Sequence, residues 1–80
     1  MEETYKKHLI RSHAEQVRKG AEWKPIVQIN WSEGTRERVK LWMDWHFKCS
    51  FPTANEAEME GHLFAKRWID DVKPSLEYER

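Results

Sequence analysis

Residues of opposite character alternate without interruption from Val39 to Phe51. Side chains of a β-strand point to opposite faces with a period of two, so this pattern predicts one long, half-buried strand. We expect its odd-numbered residues to face a core and its even-numbered residues to face solvent. The odd-numbered set is Val39, Leu41, Met43, Trp45, Phe47, Cys49 and Phe51.

Two further strands are predicted before the long one. The segment from Trp23 to Trp31 alternates in the same way, and a short connection closed by Gly34 joins it to the long strand, which starts near Arg36. The first segment, residues 5–17, has few hydrophobic residues. We interpret it as an edge strand, with an amphipathic helix as the alternative.

A helix is predicted after the long strand, because Thr53 and Glu56 have the spacing of a capping box. At about 100° per residue, one stripe of the helix is suited to lie against the sheet. That stripe consists of Ala54, Ala57, Gly61, Phe64, Ala65, Trp68 and Val72. Met59 and Leu63 lie on the opposite side, as ordinary surface residues or as a second contact line for a partner.

The predicted fold class is therefore α+β, a three-stranded antiparallel meander packed on one C-terminal helix (βββα). The 80 residues are expected to form a single domain, near the size at which one core is marginally sufficient. We expect an ordered core over about residues 5–73 and a flexible tail at residues 74–80. One face of the sheet would remain uncovered.

Charge and composition narrow the class of protein. The chain has fourteen basic and fourteen acidic residues, so no overall field attracts nucleic acid or an anionic membrane. Basic residues outnumber acidic ones by ten to seven in residues 1–51, and acidic residues outnumber basic ones by seven to four in residues 52–80. Five Trp and three Phe residues provide large areas for burial, which favours a folded chain.

The single cysteine and the start of the chain indicate a cytoplasmic location. Cys49 has no internal disulfide partner and lies on the hydrophobic parity of its strand, so a buried, inert thiol in a reducing compartment is expected. The first residues lack the apolar run of a signal peptide, and no segment approaches the ~20 apolar residues that span a bilayer.

One region resembles known families. Trp23 lies in the second strand, and Phe51-Pro52-Thr53-Ala54-Asn55-Glu56-Ala57 joins the third strand to the helix. Over about residues 5–72, this outline resembles small bacterial sheet-plus-helix proteins of unknown function. It is also similar to the GCC-box-binding domains of plant transcription factors and to the amino-terminal domains of some phage-type integrases. The resemblance implies a βββα fold and a sheet face that enters the DNA major groove through Arg and Trp side chains.

The uncovered sheet face is the candidate working surface, and Trp42 is its largest side chain. An aromatic residue among Arg and Lys residues is typical of protein-binding hot spots and of nucleic-acid contacts. The alternative is that Trp42 only packs on Ile26 and on the stems of neighbouring lysines. The candidate partner-binding residues are Trp42, Arg38, Lys40, His46, Lys48, Lys24, Ile26 and Gln28.

The length of the third strand favours a homodimer. About sixteen residues at ~3.3 Å each span about 50 Å, whereas about eighteen helical residues at 1.5 Å each cover only ~27 Å. One helix is too short for that strand. Pairing between the exposed edges of two copies would cover the overhang.

No catalytic, cofactor or metal site is predicted. The four histidines, His8, His13, His46 and His62, lack ligand spacing, and His46 and Cys49 have opposite parity. No phosphate-binding loop or nucleophile motif is present. We therefore predict a small non-enzymatic interaction domain that binds a protein partner or itself through the uncovered sheet face. A nucleic-acid-binding domain that uses the same face is the alternative, and an enzyme, without positive evidence, is the second.

Overall fold

The structure, a computed structural model, describes residues 1–16 and 18–72. Four strands precede one helix: β1 Glu2–Tyr5, β2 His8–Gln16, β3 Trp23–Glu33, β4 Arg36–Trp42 and α1 Ala54–Val72. The antiparallel sheet has the order β1-β2-β3-β4. The α+β class and the C-terminal helix are confirmed, but the sheet has four strands instead of three. The predicted tail at 74–80 and the side chain of Val72 lie outside the described residues.

The predicted N-terminal strand is confirmed as β2, but β1 pairs with its outer side, so it is an inner strand and not an edge strand. The helical alternative is wrong. β1 pairs with β2 up to Tyr5 and His8, which lie opposite each other. Lys6 and Lys7 form the turn at φ angles of 49° and 65°. Positive φ at both central residues is the geometry of a type I′ turn, which favours Asn and Gly. Two lysines are not a recognisable signal for this turn, so the residue pattern did not predict the hairpin.

β3 has the facing that its alternation predicted. Pro25, Val27 and Ile29 are buried, and Trp31 at the far end is half-buried. Pro25 is tolerated because β4 pairs only with residues 27–33 of β3, so the missing N–H removes no hydrogen bond from that ladder. The hairpin between β3 and β4 turns at Gly34, whose φ is 63°.

The predicted long third strand is wrong beyond Trp42. β4 ends there, and a 3₁₀ turn follows at Asp44–His46. The chain rejoins the end of the sheet at Phe51, which exchanges two backbone hydrogen bonds of 2.7 and 2.8 Å with Trp23. β4 has only seven residues, so its length gives no reason to expect a homodimer.

α1 begins where the capping box predicted and lies close to the sheet. The Glu56 amide donates a hydrogen bond of 3.2 Å to Thr53 Oγ1. A Cβ added to Gly61 would lie 2.7 Å from Ser12 Oγ, so side chains of the sheet pack directly against the helix backbone at this point. The buried small residues of this helix face are Ala57, Gly61 and Ala65.

The core lies between α1 and strands β2 and β3, and β4 contributes one residue at its end. Each large apolar side chain buried here stabilises the fold by about 1.5–3 kcal/mol. Ile69 and His62 are buried on α1 although the predicted stripe did not include them. The buried cluster consists of Ile10, Val27, Ile29, Trp42, Ala65 and Ile69.

Candidate protein-interaction surface

The structure reverses the predicted facing of β4. Trp42 is 6% exposed, whereas Val39 and Leu41 are 60% and 51% exposed. Directly opposite residues of an antiparallel pair share a face, and Trp42 lies opposite the buried Val27. The prediction that Trp42 lies on the uncovered face is therefore wrong. An indole has more apolar area to remove from water than Val or Leu, which favours Trp42 in the core.

Trp42 is packed by aromatic rings of α1. Its ring meets Phe64 at a centroid distance of 5.0 Å and Trp68 at 5.3 Å, both edge to face. Lys40 Nζ lies 5.7 Å from the centroid of the same ring. Trp42 is thus a packing residue, as the alternative interpretation held, but it packs on the helix and not on Ile26.

The 3₁₀ turn explains why the unbroken alternation was misleading. In β4 the even-numbered Trp42 is the residue that enters the core. After the turn, the odd-numbered Phe47 and Phe51 are half-buried, whereas Trp45 within the turn is 77% exposed. The residues that face the core are even-numbered before the turn and odd-numbered after it. The backbone changes direction between them, and an alternating hydrophobic pattern does not show such a change.

The other predicted site residues do not form one surface. Arg38 lies opposite Trp31 and Lys40 opposite Ile29, so both are on the helix side of the sheet. They are nevertheless exposed, because α1 packs mainly on β2 and β3. The predicted residues on the uncovered side are Lys24, Ile26 and Gln28, all half-buried.

His46 and Lys48 lie outside the sheet. His46 is in the 3₁₀ turn, with its ring 5.5 Å from the Phe47 ring. Lys48 is exposed on the segment that leads to α1. Cys49, on the same segment, is a free and exposed thiol, so its predicted burial is wrong.

The open face is the side of the sheet turned away from α1, and it mixes apolar and amide side chains. Gln28 Nε2 donates a hydrogen bond of 2.7 Å to Asn30 Oδ1. Arg11 also lies on this face, opposite Gln28, and pairs with Glu2 at 2.8 Å. The open face is centred on Leu9, Ile26, Gln28, Asn30, Val39 and Leu41.

The β4 edge, residues 36–42, is the outer border of the sheet and pairs with no further strand among the described residues. Residues 36–41 are all exposed. Arg36, Arg38 and Lys40 project to the helix side, and Val39 and Leu41 project to the open face. Arg38 Nε lies 3.8 Å from Glu33 Oε1, a long ion pair.

Ion pairs tie β1 to α1 at the opposite border of the sheet. His62 Nε2 donates to a Glu3 carboxylate oxygen, and this hydrogen bond, with a second one from Lys66, holds the pKa of Glu3 below its ordinary value. Lys6 Nζ lies 2.7 Å from Asp70 Oδ1 and lowers the pKa of Asp70 in the same way. These groups connect two elements and do not converge on a common point.

A cleft of about 220 Å³ lies between α1 and the segment after the 3₁₀ turn. We call it the Phe47 cleft. The hydrophobic pattern did not reveal the cleft, because it assigned Phe47 and Phe51 to a straight strand. The lining residues are Pro25, Phe47, Lys48, Cys49, Phe51, Glu60, Leu63, Phe64 and Arg67.

Comparison with protein-family models, with curated proteins and with solved structures finds no match for this chain. The resemblance to DNA-binding sheet-plus-helix domains therefore stays a prediction. Within residues 1–16 and 18–72, no group of three or more His, Cys, Asp or Glu side chains is arranged to hold a metal ion. In the same part of the chain, no helix has the length and apolarity needed to cross a membrane.

Proposed function

We propose that this chain is a non-enzymatic protein-interaction domain that receives an extended segment of a partner along the β4 edge. The observation that carries the proposal is the β4 edge itself, a seven-residue strand with one free side among the described residues. A partner strand satisfies these backbone groups and extends the open face, as in other cases of strand addition.

The side chains of β4 specify the chemistry of the partner. Arg36, Arg38 and Lys40 present positive charge on the helix side, and Val39 and Leu41 present apolar surface on the open face. Opposite charges and apolar pairs that face each other across two strands each contribute about 0.2–1 kcal/mol. The best partner is therefore a strand with acidic residues on one parity and β-branched or aliphatic residues on the other.

The same charges disfavour a second copy as the partner. In an antiparallel register that keeps both open faces on the same side, even-numbered residues of one β4 face even-numbered residues of the other. Arg36, Arg38 and Lys40 of two copies would then lie against one another, and like charges in that position are destabilising. Whether two copies form a homodimer is a matter for measurement of the oligomeric state.

Nucleic acid is the alternative occupant, and the row of Arg36, Arg38 and Lys40 is the observation in its favour. Three cations form a small patch, and Glu33, which lies opposite Arg36, stands beside them on the same face. Nucleic-acid binding usually rests on a more concentrated basic surface. Titration with duplex DNA at low salt tests it, because phosphate contacts strengthen as the salt concentration falls.

The proposal also keeps the expected cytoplasmic location. Free thiols are typical of reducing compartments, and Cys49 is both unpaired and exposed. The protein partner would then be an intracellular one.

The direct test is fluorescence anisotropy with two labelled peptides of equal length, one that alternates Glu with Val and one that alternates Lys with Val. We expect the acidic peptide to bind and the basic peptide not to bind. Arg38→Glu should weaken binding of the acidic peptide by about three- to tenfold, since it turns an attraction into a repulsion. Arg18→Glu, in the exposed turn between β2 and β3, is the matched control and should leave affinity unchanged.

A second pair of variants tests the apolar side of the strand. Val39→Asp should weaken binding of the acidic peptide, and Met59→Asp, on the exposed side of α1, should leave that binding unchanged. Equal binding of both peptides, or binding that is insensitive to Arg38→Glu and Val39→Asp, would exclude the β4 edge as the docking site. Binding of duplex DNA in place of the acidic peptide would favour the alternative.

A further inference from the structure

The Phe47 cleft is apolar at its base and charged at its rim. Phe47, Phe51 and Phe64 are half-buried around it, and Pro25 is buried beneath it. Leu63 lies at its side and is 45% exposed. These side chains form no part of the β4 edge, so the cleft is a site separate from the proposed function.

The wall of the cleft opposite α1 is held at both ends, which indicates that the cleft exists before a ligand arrives. At one end, the Phe47 ring meets the Phe64 ring at 5.1 Å with an interplanar angle of 78°. At the other end, Phe51 exchanges two backbone hydrogen bonds with Trp23. When the side chains of a site are ordered before the ligand binds, less of the binding free energy is lost to ordering them.

The rim carries two cations and one anion. Lys48, Arg67 and Glu60 are exposed, and none of them forms an ion pair with another described residue. Lys48 comes from the segment after the 3₁₀ turn and Arg67 from α1, so they stand on opposite walls. The excess positive charge beside an apolar base complements an anion that has an apolar body.

The volume limits the size of that ligand. Pockets for cofactors and drug-sized molecules usually measure about 300–1,000 Å³, whereas this cleft measures about 220 Å³. A single ring or a short acyl chain suits it. A carboxylate head is suited to the rim, because Arg binds carboxylates through two parallel hydrogen bonds.

We propose that the Phe47 cleft binds a small organic carboxylate whose apolar body is one aromatic ring or a short aliphatic chain. The body lies between the phenylalanine rings and Leu63. The carboxylate lies at the rim, between Lys48 and Arg67.

The test uses the whole chain with 3-phenylpropionate as the probe and 3-phenylpropanamide as its uncharged analogue. Two-dimensional amide NMR should show saturable shifts at residues 47–51 and 60–67 with the acid. The amide should bind about tenfold more weakly, because it lacks the charge-assisted hydrogen bonds at the rim. Alkylation of Cys49 by neutral iodoacetamide provides a second readout, since a bound ligand shields this exposed thiol.

Matched variants separate the base of the cleft from its rim. Leu63→Ala should weaken binding of 3-phenylpropionate, and Met59→Ala, one turn earlier on the same side of α1, should leave that binding unchanged. Arg67→Gln should remove the preference for the acid over the amide, whereas Arg18→Gln should preserve it. Equal affinity of acid and amide, shifts located outside the cleft, or no saturable response to the acid would each overturn the proposal.

Discussion

Gly61 is the residue at which α1 comes closest to the sheet. A Cβ at this position would lie 2.7 Å from Ser12 Oγ, 2.9 Å from Pro25 Cβ and 2.9 Å from Val27 Cγ2. Real Cβ atoms do not approach heavy atoms so closely, and two of these three neighbours are in well-buried parts of β3. The Ser12 hydroxyl is also fixed, because it donates a hydrogen bond of 2.6 Å to the Glu58 carbonyl.

Gly61→Ala should therefore destabilise the protein although alanine is the better helix former. The gain in helix propensity is about 1 kcal/mol, and forcing a methyl group into a packed core costs about 1–3 kcal/mol. Pro25 and Val27 are buried and the Ser12 hydroxyl is hydrogen-bonded, so we expect a cost in the upper part of that range and a net loss of about 1–2 kcal/mol in the free energy of unfolding. Urea denaturation followed by tryptophan fluorescence measures it.

The control for this substitution is Met59→Ala on the exposed side of the same helix. Exposed substitutions of this kind usually change stability by less than about 0.5 kcal/mol. If Gly61→Ala were as stable as the natural protein, α1 would have to lie farther from β2 and β3 than the structure places it.

At the scale of elements, β1 is the strand whose attachment to the rest of the fold depends most on charged side chains. It has four residues, pairs with β2, and reaches α1 through Glu3. The ion pair of Lys6 with Asp70, at the turn that follows β1, ties the same hairpin to the end of α1. Hydrogen bonds from His62 and from Lys6 hold the pKa values of Glu3 and Asp70 below their ordinary values.

The lowered pKa values predict the direction of acid sensitivity. A carboxyl group with a depressed pKa in the folded state stabilises the fold above its ordinary pKa, and that stability is lost as the pH falls through the folded pKa. The ordinary values are 4.5 for Glu3 and 3.8 for Asp70. We expect the melting temperature to fall as the pH decreases below these values.

Glu3→Gln and Asp70→Asn test the origin of this acid sensitivity. Each variant should be less stable than the natural protein near pH 7 and should lose less stability on acidification. The double variant should have the flattest profile. Melting curves by circular dichroism from neutral to acidic pH measure all four proteins, and parallel profiles would show that other carboxyl groups dominate.

At the scale of the whole molecule, the sheet is wider than the helix that covers it. α1 lies over β2 and β3, so residues 36–41 of β4 are exposed on both faces. An uncovered edge strand invites pairing with another chain, and charged side chains are a common protection against this. We expect Arg38 and Lys40 to give this protection against a second copy of the chain.

The charge of Lys40 should therefore decide whether two copies associate. In the antiparallel register in which Val39 faces Val39, Arg38 of each copy faces residue 40 of the other. Lys40→Glu converts two repulsions into two attractions, a change of roughly 1–2 kcal/mol. We expect the natural protein to sediment as a monomer in a concentration series and Lys40→Glu to shift toward a dimer.

Lys48→Glu, the same change of charge outside the sheet, is the control and should remain monomeric. If the natural protein dimerised and Lys40→Glu did not strengthen the dimer, the copies would associate through a surface other than the β4 edge.

The sequence alone determined those features that depend on neighbouring residues. The facing of β3 follows from its own alternation, and the start of α1 follows from Thr53 and Glu56. The turn between β3 and β4 follows from the glycine at position 34. Each of these signals is local, because a strand period, a capping box or a positive φ is set within a few residues.

Only the tertiary structure decided which side chains of β4 enter the core, because a strand can bury either its even-numbered or its odd-numbered residues. The pairing of Val27 with Trp42 and the aromatic rings of α1 select the face that buries the indole. The same holds for the N-terminal hairpin, whose turn at Lys6 and Lys7 is maintained by the pairing of β1 with β2 and of β2 with β3. The β4 edge is exposed because α1 packs on β2 and β3, and the Phe47 cleft forms where the segment after the 3₁₀ turn meets α1. Both depend on packing between segments that are distant in the sequence.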